Sequence, residues 1–186
     1  MLFRSSGYLM EEKHWLEIVE VVSRQMKEGI FLNTRLHDQN NTMIIGWGGL
    51  QFLWGRPIVM IYVRDQRYTH SFLTENPDFT LSVPAPGTLK KAIGICGTVS
   101  GRNQDKFQLA NITPIQAKHV NASIIQECST HLECRVIYRQ ILDAKDIPQD
   151  ITTRYYAPGN DSIHTVYYAD LIAAYQRKDD SHGNNH

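Results

Sequence analysis

From Ile30 onward the chain is cut into short apolar, β-branched runs by glycine, proline and asparagine turns, and this pattern restricts the folds open to it. Ile30–Leu36, the polar turn Asp38-Gln39-Asn40-Asn41 and Thr42–Leu50 read as a hairpin. Gly55-Arg56-Pro57 marks a turn before the strand Ile58–Val63, and Pro84 and Pro86 close the strand Phe79–Val83. Pro114–Val120, Ser123–Gln126, Leu132–Leu142 and Ile163–Ala169 supply further strands. Only Glu11–Lys27 has long helical periodicity: Trp15, Val19, Val22 and Met26 form one stripe, and Gly29 is a natural stop. It is expected to cover the open face of a sheet. Two short helices fit between strands, one capped by Thr69 and running through Glu75, the other capped by Thr88 over Leu89–Cys96. Many strands with few crossover helices predict a mainly β, antiparallel barrel and not a parallel α/β sheet.

The 186 residues suffice for one domain with a real core, 1–186, with flexible ends at 1–10 and 177–186. Nineteen basic and nineteen acidic side chains cancel, which argues against a long-range field that gathers nucleic acid. Residues 1–10 lack a signal-peptide pattern, and glycines and Gln51 interrupt the longest apolar stretch, Met43–Trp54. No membrane association is expected, and a cytoplasmic location is. Cys96, Cys128 and Cys134 are an odd, sparse set that suits free thiols in a reducing compartment. His131 lies between the last two, but the spacing does not give two close pairs of zinc ligands, so no metal is expected.

Against this even charge, three segments concentrate polar chemistry. Cys96-Gly97-Thr98-Val99-Ser100-Gly101-Arg102-Asn103-Gln104-Asp105-Lys106-Phe107 packs glycines, hydroxyls and cations together, as an anion site requires. Arg64-Asp65-Gln66-Arg67-Tyr68-Thr69 sets two arginines and two hydroxyls where a strand meets a helix. Asn41-Thr42-Met43-Ile44-Ile45-Gly46-Trp47-Gly48 is a strand ending in glycines around an indole. The set suits a ligand with a flat ring and a phosphate tail. Arg64, Arg67, Thr69, Ser100 and Lys106 are the expected phosphate contacts, with Tyr68 and Arg102 as lining. Cys96, Gly97 and Thr98 are expected to contribute backbone contacts.

The same three segments, in the order N-T-M-x-x-G-W-G, R-x-x-R-Y-T and C-G-T-x-S-G-R-x-x-D-K-F, resemble the flavin reductase-like, flavoredoxin-type FMN-binding proteins. Glu133–Arg139 and His164–Tyr168 are similar to later strands of that family, so the resemblance runs from about Gly29 to Tyr175. It implies a Greek-key split β-barrel with a few short covering helices, a homodimer, bound FMN, and NADH or NADPH as co-substrate. It also implies that Asn41, Thr42, Met43, Ile44, Ile45, Gly46 and Trp47 run along the isoalloxazine, their backbone amides meeting its polar edge. Trp47 then packs beside the ring or a partner subunit, or in the core. Relatives often carry a hydroxyl residue where this chain has Ile44, which removes one side-chain hydrogen bond to the flavin. The activity implied is NAD(P)H-dependent flavin reduction, with the cofactor carrying the chemistry and no catalytic side chain.

Three other functions compete with this one: an FMN-binding electron carrier or redox sensor with a protein partner, a split barrel that takes another planar ligand, and a hydrolase. Gly46-Trp47-Gly48-Gly49 lacks the third glycine and the following helix of a dinucleotide fingerprint. No G-x-S-x-G elbow supports hydrolysis, although His70, His119 and His164 are available as bases.

Overall fold

A computed structural model describes residues 1–5, 7–156 and 162–178. Eleven strands and five α-helices follow one another in the order β1 (Leu2–Ser5), β2 (Tyr8–Glu12), α1 (Trp15–Met26), β3 (Ile30–Leu36), β4 (Gln39–Ile45), β5 (Gly48–Leu53), β6 (Arg56–Arg64), α2 (Tyr68–Glu75), β7 (Asp78–Val83), α3 (Lys90–Thr98), α4 (Lys106–Ala110), β8 (Pro114–Gln116), β9 (Ser123–Ile125), β10 (Thr130–Ile141), α5 (Gln149–Tyr155) and β11 (His164–Arg177), with a 3₁₀ turn at Ala144–Asp146. Every strand pairing is antiparallel, as the sequence pattern predicts.

The main sheet runs β4-β3-β7-β10-β11 and divides at β11. The first half of that long strand, His164–Asp170, pairs with β6, while Tyr175–Arg177 pairs with β2. Register shifts at Glu133/Cys134 and Val136/Tyr138 interrupt the β10–β11 ladder, and such irregularities let long strands bend around a barrel. β4 and β6 are not hydrogen-bonded to each other. The chain leaves β4 at Gly46-Trp47 and folds back as β5 along the far edge of β6. This antiparallel split barrel therefore has a slot between β4 and β6. Gly48 sits at the fold-back with φ 152°, and a Cβ there would lie 2.5 Å from the Met60 carbonyl oxygen, a position only glycine fits.

The barrel core joins Ile18, Val22 and Met26 of α1 to Leu32, Met43, Val59, Ile61, Leu81, Leu132 and Tyr167. Each large apolar side chain fully buried there contributes about 1.5–3 kcal/mol. A second cluster seats α3 and α4 against the outside of β3 and β4, through Ala92, Cys96 and Phe107 on Phe31 and Ile125. That seating carries the 99–105 loop to one end of the slot.

Several boundaries differ from the sequence reading, for identifiable reasons. Of residues 1–10, expected to be a flexible end, Leu2–Ser5 and Tyr8–Met10 lie in the paired strands β1 and β2, which β11 anchors; residues 6 and 179–186 lie outside the described residues. Glu11 and Glu12 belong to β2, so α1 starts at Trp15, where Glu17 Oε1 accepts the His14 N–H at 2.9 Å and the His14 side chain caps the first turn. The buried stripe is Ile18, Val22, Gln25 and Met26, leaving Trp15 and Val19 partly exposed. Neither Thr69 nor Thr88 is a cap: Arg67 precedes α2, and Leu89, in the left-handed region at φ 53°, precedes α3. The strand expected over Pro114–Val120 stops at Gln116 because the N–H groups of Lys118, His119 and Val120 turn towards the buried Glu133 carboxylate. β11 continues to Arg177, eight residues beyond the expected end at Ala169, because β10 supplies a partner along its length. α5 and α4 have no counterpart in the sequence reading.

Candidate flavin-type site

Three adjoining compartments form one trough from the slot to the β3–β4 turn. The slot itself encloses about 140 Å³ between Met43–Trp47 at the end of β4, Tyr62 and Arg64 of β6, Arg67, and His164 of β11. Met43 and Arg67 also line the next compartment, about 190 Å³, with Tyr68, Thr69, Thr98, Ser100 and Lys106. Gly101, Arg102 and Lys106 then border the third and largest, about 570 Å³, which reaches Asp38–Thr42 and Pro114.

Lys106 is the most telling residue of the middle compartment. It opens α4, whose first turn is capped by Asp105 Oδ1 accepting from the N–H groups of Phe107 and Gln108. The side chain is only 5% exposed, and its ammonium donates a single long bond, 3.4 Å, to the Cys96 carbonyl. No carboxylate pairs with it among the described residues; the titratable groups beside it are the Cys96 thiol and the Arg67 guanidinium. Burial, with Arg67 adding to it, lowers its pKa. A buried cation without a counter-ion is costly, and an anion in this compartment would remove that cost.

The hydroxyls and amides around Lys106 are partly aimed by neighbours. Asn41 Nδ2 donates to Thr69 Oγ1 at 2.9 Å, while Asn41 Oδ1 is buried with no donor. Gly101 lies directly over that oxygen, and a Cβ at 101 would collide with it. Arg102 fastens the loop to the start of α2, donating to the Gln66 carbonyl at 3.0 Å with its guanidinium 5.1 Å from the Tyr68 ring centroid. Ser100 Oγ accepts the Arg102 N–H at 3.3 Å.

Some residues named from sequence stand elsewhere. Arg64 is absent from the Ser100–Lys106 compartment: its guanidinium donates to the carbonyls of Ser162 at 2.6 Å and Tyr155 at 2.7 Å, and covers the Tyr156 ring. It is a clasp across the β11 end of the slot, lining the slot and not the Ser100–Lys106 compartment. Arg64→Ala is expected to speed amide exchange through α5 about tenfold without altering protection in β6, whose ladder is independent of that side chain. Equal protection in α5 would remove the clasp role. Cys96, Gly97 and Thr98 form the last turn of α3, so their N–H groups are tied into helical bonds. The Thr98 hydroxyl donates to the Gly94 carbonyl at 2.8 Å. Gly97 faces Ile44, whose Cβ is 3.6 Å from where a glycine Cβ would stand, and burial pushes the Cys96 thiol up to about 11. Thr42 is fully buried and donates to Asn33 Oδ1 at 2.8 Å, within a polar core network. Ile44 packs on α3 while also bordering the slot. Trp47 is 38% exposed at the slot mouth, not in the core, with ring centroids 5.1 Å from Tyr155 and 4.6 Å from His164.

Sequence reasoning missed Tyr62, Tyr155 and Tyr156 and weighed His164 only as a base. The pairing of β6 with β11 sets His164 opposite Arg64, a relation without local sequence signal. His164 Nδ1 lies 2.8 Å from the Tyr156 hydroxyl, and burial, then the Arg64 and Arg67 charges, lower its pKa to about 4. The imidazole is thus neutral at pH 7. Elsewhere, Cys128 and Cys134 are buried free thiols, and His131 contacts Ser82 Oγ at 3.1 Å. Among the described residues no group of three or more metal-ligating side chains forms, and no helix is long and apolar enough to cross a membrane.

An antiparallel split barrel whose open edge leads into a cationic pocket defines a recognisable class of fold. The family model for the flavin reductase like domain matches residues 23–184, and the chain belongs to that family. It is 30% identical over 100 residues to an uncharacterized protein of Archaeoglobus fulgidus, a match spanning 54% of this chain and 55% of that one, so the alignment covers about half of the relative's length. Flavoredoxin from Methanosarcina acetivorans superimposes with a TM-score of 0.61 at 26% identity, over 81% of this chain and 68% of that one. The FMN-binding domain of a flavin reductases-like enzyme from Shewanella baltica superimposes with a TM-score of 0.67 at 14% identity, over 91% and 78% of the two chains, a likeness of fold.

Proposed function

We propose that this protein binds FMN noncovalently along the trough and works as an NAD(P)H-dependent flavin reductase. The observation that carries the reading is the buried Lys106, without a carboxylate partner among the described residues, beside Arg67 in the compartment that adjoins a slot lined by backbone and aromatic rings. The family match and the FMN-binding domain in Shewanella baltica support it. Lys106, Arg67, Ser100 and Thr69 hold the phosphate, with Asn41 orienting the Thr69 hydroxyl. Met43–Trp47 flank the ring, and Trp47 and His164 shape the mouth through which a nicotinamide enters. When bound, FMN supplies the two-electron acceptor chemistry that these side chains lack. His164 itself stays neutral, so the fixed positive charges beside it are those of Arg64 and Arg67.

Exposed Trp54 and Tyr138, with Tyr168 beside both, form an apolar surface consistent with a homodimer. Three buried free thiols suit a reducing compartment such as the cytoplasm. The likeness to a flavoredoxin keeps a second reading, an FMN-binding carrier that exchanges electrons with a protein partner. The visible spectrum of the purified protein, before and after heat denaturation, tests the cofactor: a released flavin spectrum is expected, and a colourless protein that takes up no added FMN overturns the proposal. Steady-state NAD(P)H oxidation with excess FMN then separates the two activities, since a carrier turns over poorly.

A further inference from the structure

The mouth of the slot is fastened to a segment that has little else to hold it. The chain leaves the β10–β11 ladder at Leu142 and rejoins it at His164, where the Leu142 N–H donates to the His164 carbonyl at 3.0 Å. Between these pinned ends, neither the 3₁₀ turn at Ala144–Asp146 nor α5 contributes a buried side chain. With seven residues α5 is also too short to persist unaided, since isolated helices below about 12–15 residues are marginal in water. The contacts that hold it cluster at its C-terminal end, on residues of the slot. Tyr155 stands edge-on to Trp47, with ring centroids 5.1 Å apart, and the Tyr156 hydroxyl lies 2.8 Å from His164 Nδ1. Arg64 donates to the Tyr155 carbonyl at 2.7 Å, at a helix end that leaves such groups unpaired, and its guanidinium covers the Tyr156 ring. Trp47, Arg64 and His164 line the slot, while Tyr155 and Tyr156 are outside its lining.

We propose that α5 is a gate over the slot, whose release lets the Trp47, Arg64 and His164 side chains swing apart and whose return latches them through Tyr155 and Tyr156. This rests on the flavin reading of the slot and states how that site exchanges its ligand. At about 140 Å³ the slot is well under the roughly 300–1,000 Å³ that small-molecule sites occupy, so a three-ring system enters only if a wall gives way. The β4 and β6 backbones are fixed in strand ladders, which leaves the side chains under α5 to move. Tyr155 and Tyr156 act through those side chains and are positioning residues. A gate that must open for passage in either direction slows arrival and departure alike, and its loosening leaves affinity almost unchanged. A residue that contacts the ligand changes mainly the dissociation rate.

The test uses the full chain stripped of flavin and mixed rapidly with increasing FMN, binding being followed by flavin fluorescence. The observed association rate is expected to level off at high FMN, at the opening rate of the gate. The flavin-free protein is expected to show the same opening as amide exchange in α5 at least about tenfold faster than in β6 and β11. Tyr156→Phe keeps the ring beside Arg64 and removes only the hydroxyl that meets His164, and Tyr155→Ala removes the contact with Trp47. Each is expected to raise both the plateau and the dissociation rate about five- to tenfold, with the Kd within about twofold of the unaltered protein. An association rate that climbs linearly with FMN, exchange in α5 as slow as in β6, or variants that raise the dissociation rate alone and weaken binding in proportion overturn the gate and leave the flavin reading intact. Failure to bind FMN at all overturns both.

Discussion

Lys106→Met is expected to weaken FMN binding about 10- to 100-fold while making the flavin-free protein more stable. The first effect follows from losing a charge-assisted hydrogen bond, about 1.5–3 kcal/mol, in a compartment where the ammonium has one long contact and no carboxylate. The second follows from the same facts. Methionine fills similar space on α4 with no charge to desolvate, and the gain is on the order of 1 kcal/mol. The two measurements are flavin titration and urea denaturation of the apo protein. The pH dependence gives an independent check. Burial lowers the folded-state pKa of Lys106 below its ordinary 10.5, so the unfolded chain holds this proton more tightly. The stability of the unaltered apo protein therefore gains a component that grows as pH rises from the lowered pKa to 10.5, and the variant lacks it. A variant with reduced apo stability and unchanged flavin affinity would show that Lys106 serves the fold.

Glu133→Ala has the largest expected effect on stability. The carboxylate of Glu133 is fully buried on β10, and it accepts from the backbone N–H groups of Lys118 at 2.8 Å, His119 at 2.5 Å and Val120 at 3.1 Å, and from the Tyr175 hydroxyl at 2.9 Å. Four donors are left without that acceptor on truncation, next to Ala117, Val120 and Ala122 in the cluster that seats the β8–β9 hairpin. Leaving buried donors unsatisfied costs about 1–3 kcal/mol each before water enters, and a total loss of about 3–5 kcal/mol is expected after relaxation. Thermal or urea denaturation measures it. Because this cluster lies away from the slot, Lys106-dependent flavin affinity of the folded fraction is expected to stay within about twofold. A loss below about 1 kcal/mol would mean that the 117–122 loop finds other acceptors.

The two sites differ in how far they can be read from sequence. Lys106, Ser100 and Gly101 fall within a dozen residues, so a phosphate-type composition is visible as a local string. The antiparallel class is equally visible, because apolar runs and turn residues alternate along the chain without needing a partner to be identified. The Glu133 clasp is not, since a lone glutamate in a strand-like run has no signature, and its donors come from a loop over a dozen residues earlier. The N-terminal hairpin escaped for a similar reason: residues 1–10 are short and partly polar, and only the far end of β11 gives them a ladder to join.

Side-chain type and order thus determined by themselves that the chain folds as an antiparallel β protein and that cations, hydroxyls and glycines concentrate in its 96–107 and 64–69 segments. The tertiary structure decided which of those groups meet. It turned Arg64 away to clasp the Tyr155 and Ser162 carbonyls, tied the N–H groups of Cys96–Thr98 into a helix, and brought His164 to the slot through the β6–β11 register. It also buried Lys106 without a counter-ion among the described residues. Composition and short-range periodicity act between neighbours along the chain, whereas burial, strand register and the satisfaction of charges act between segments far apart in sequence, and those relations exist only once the barrel has formed.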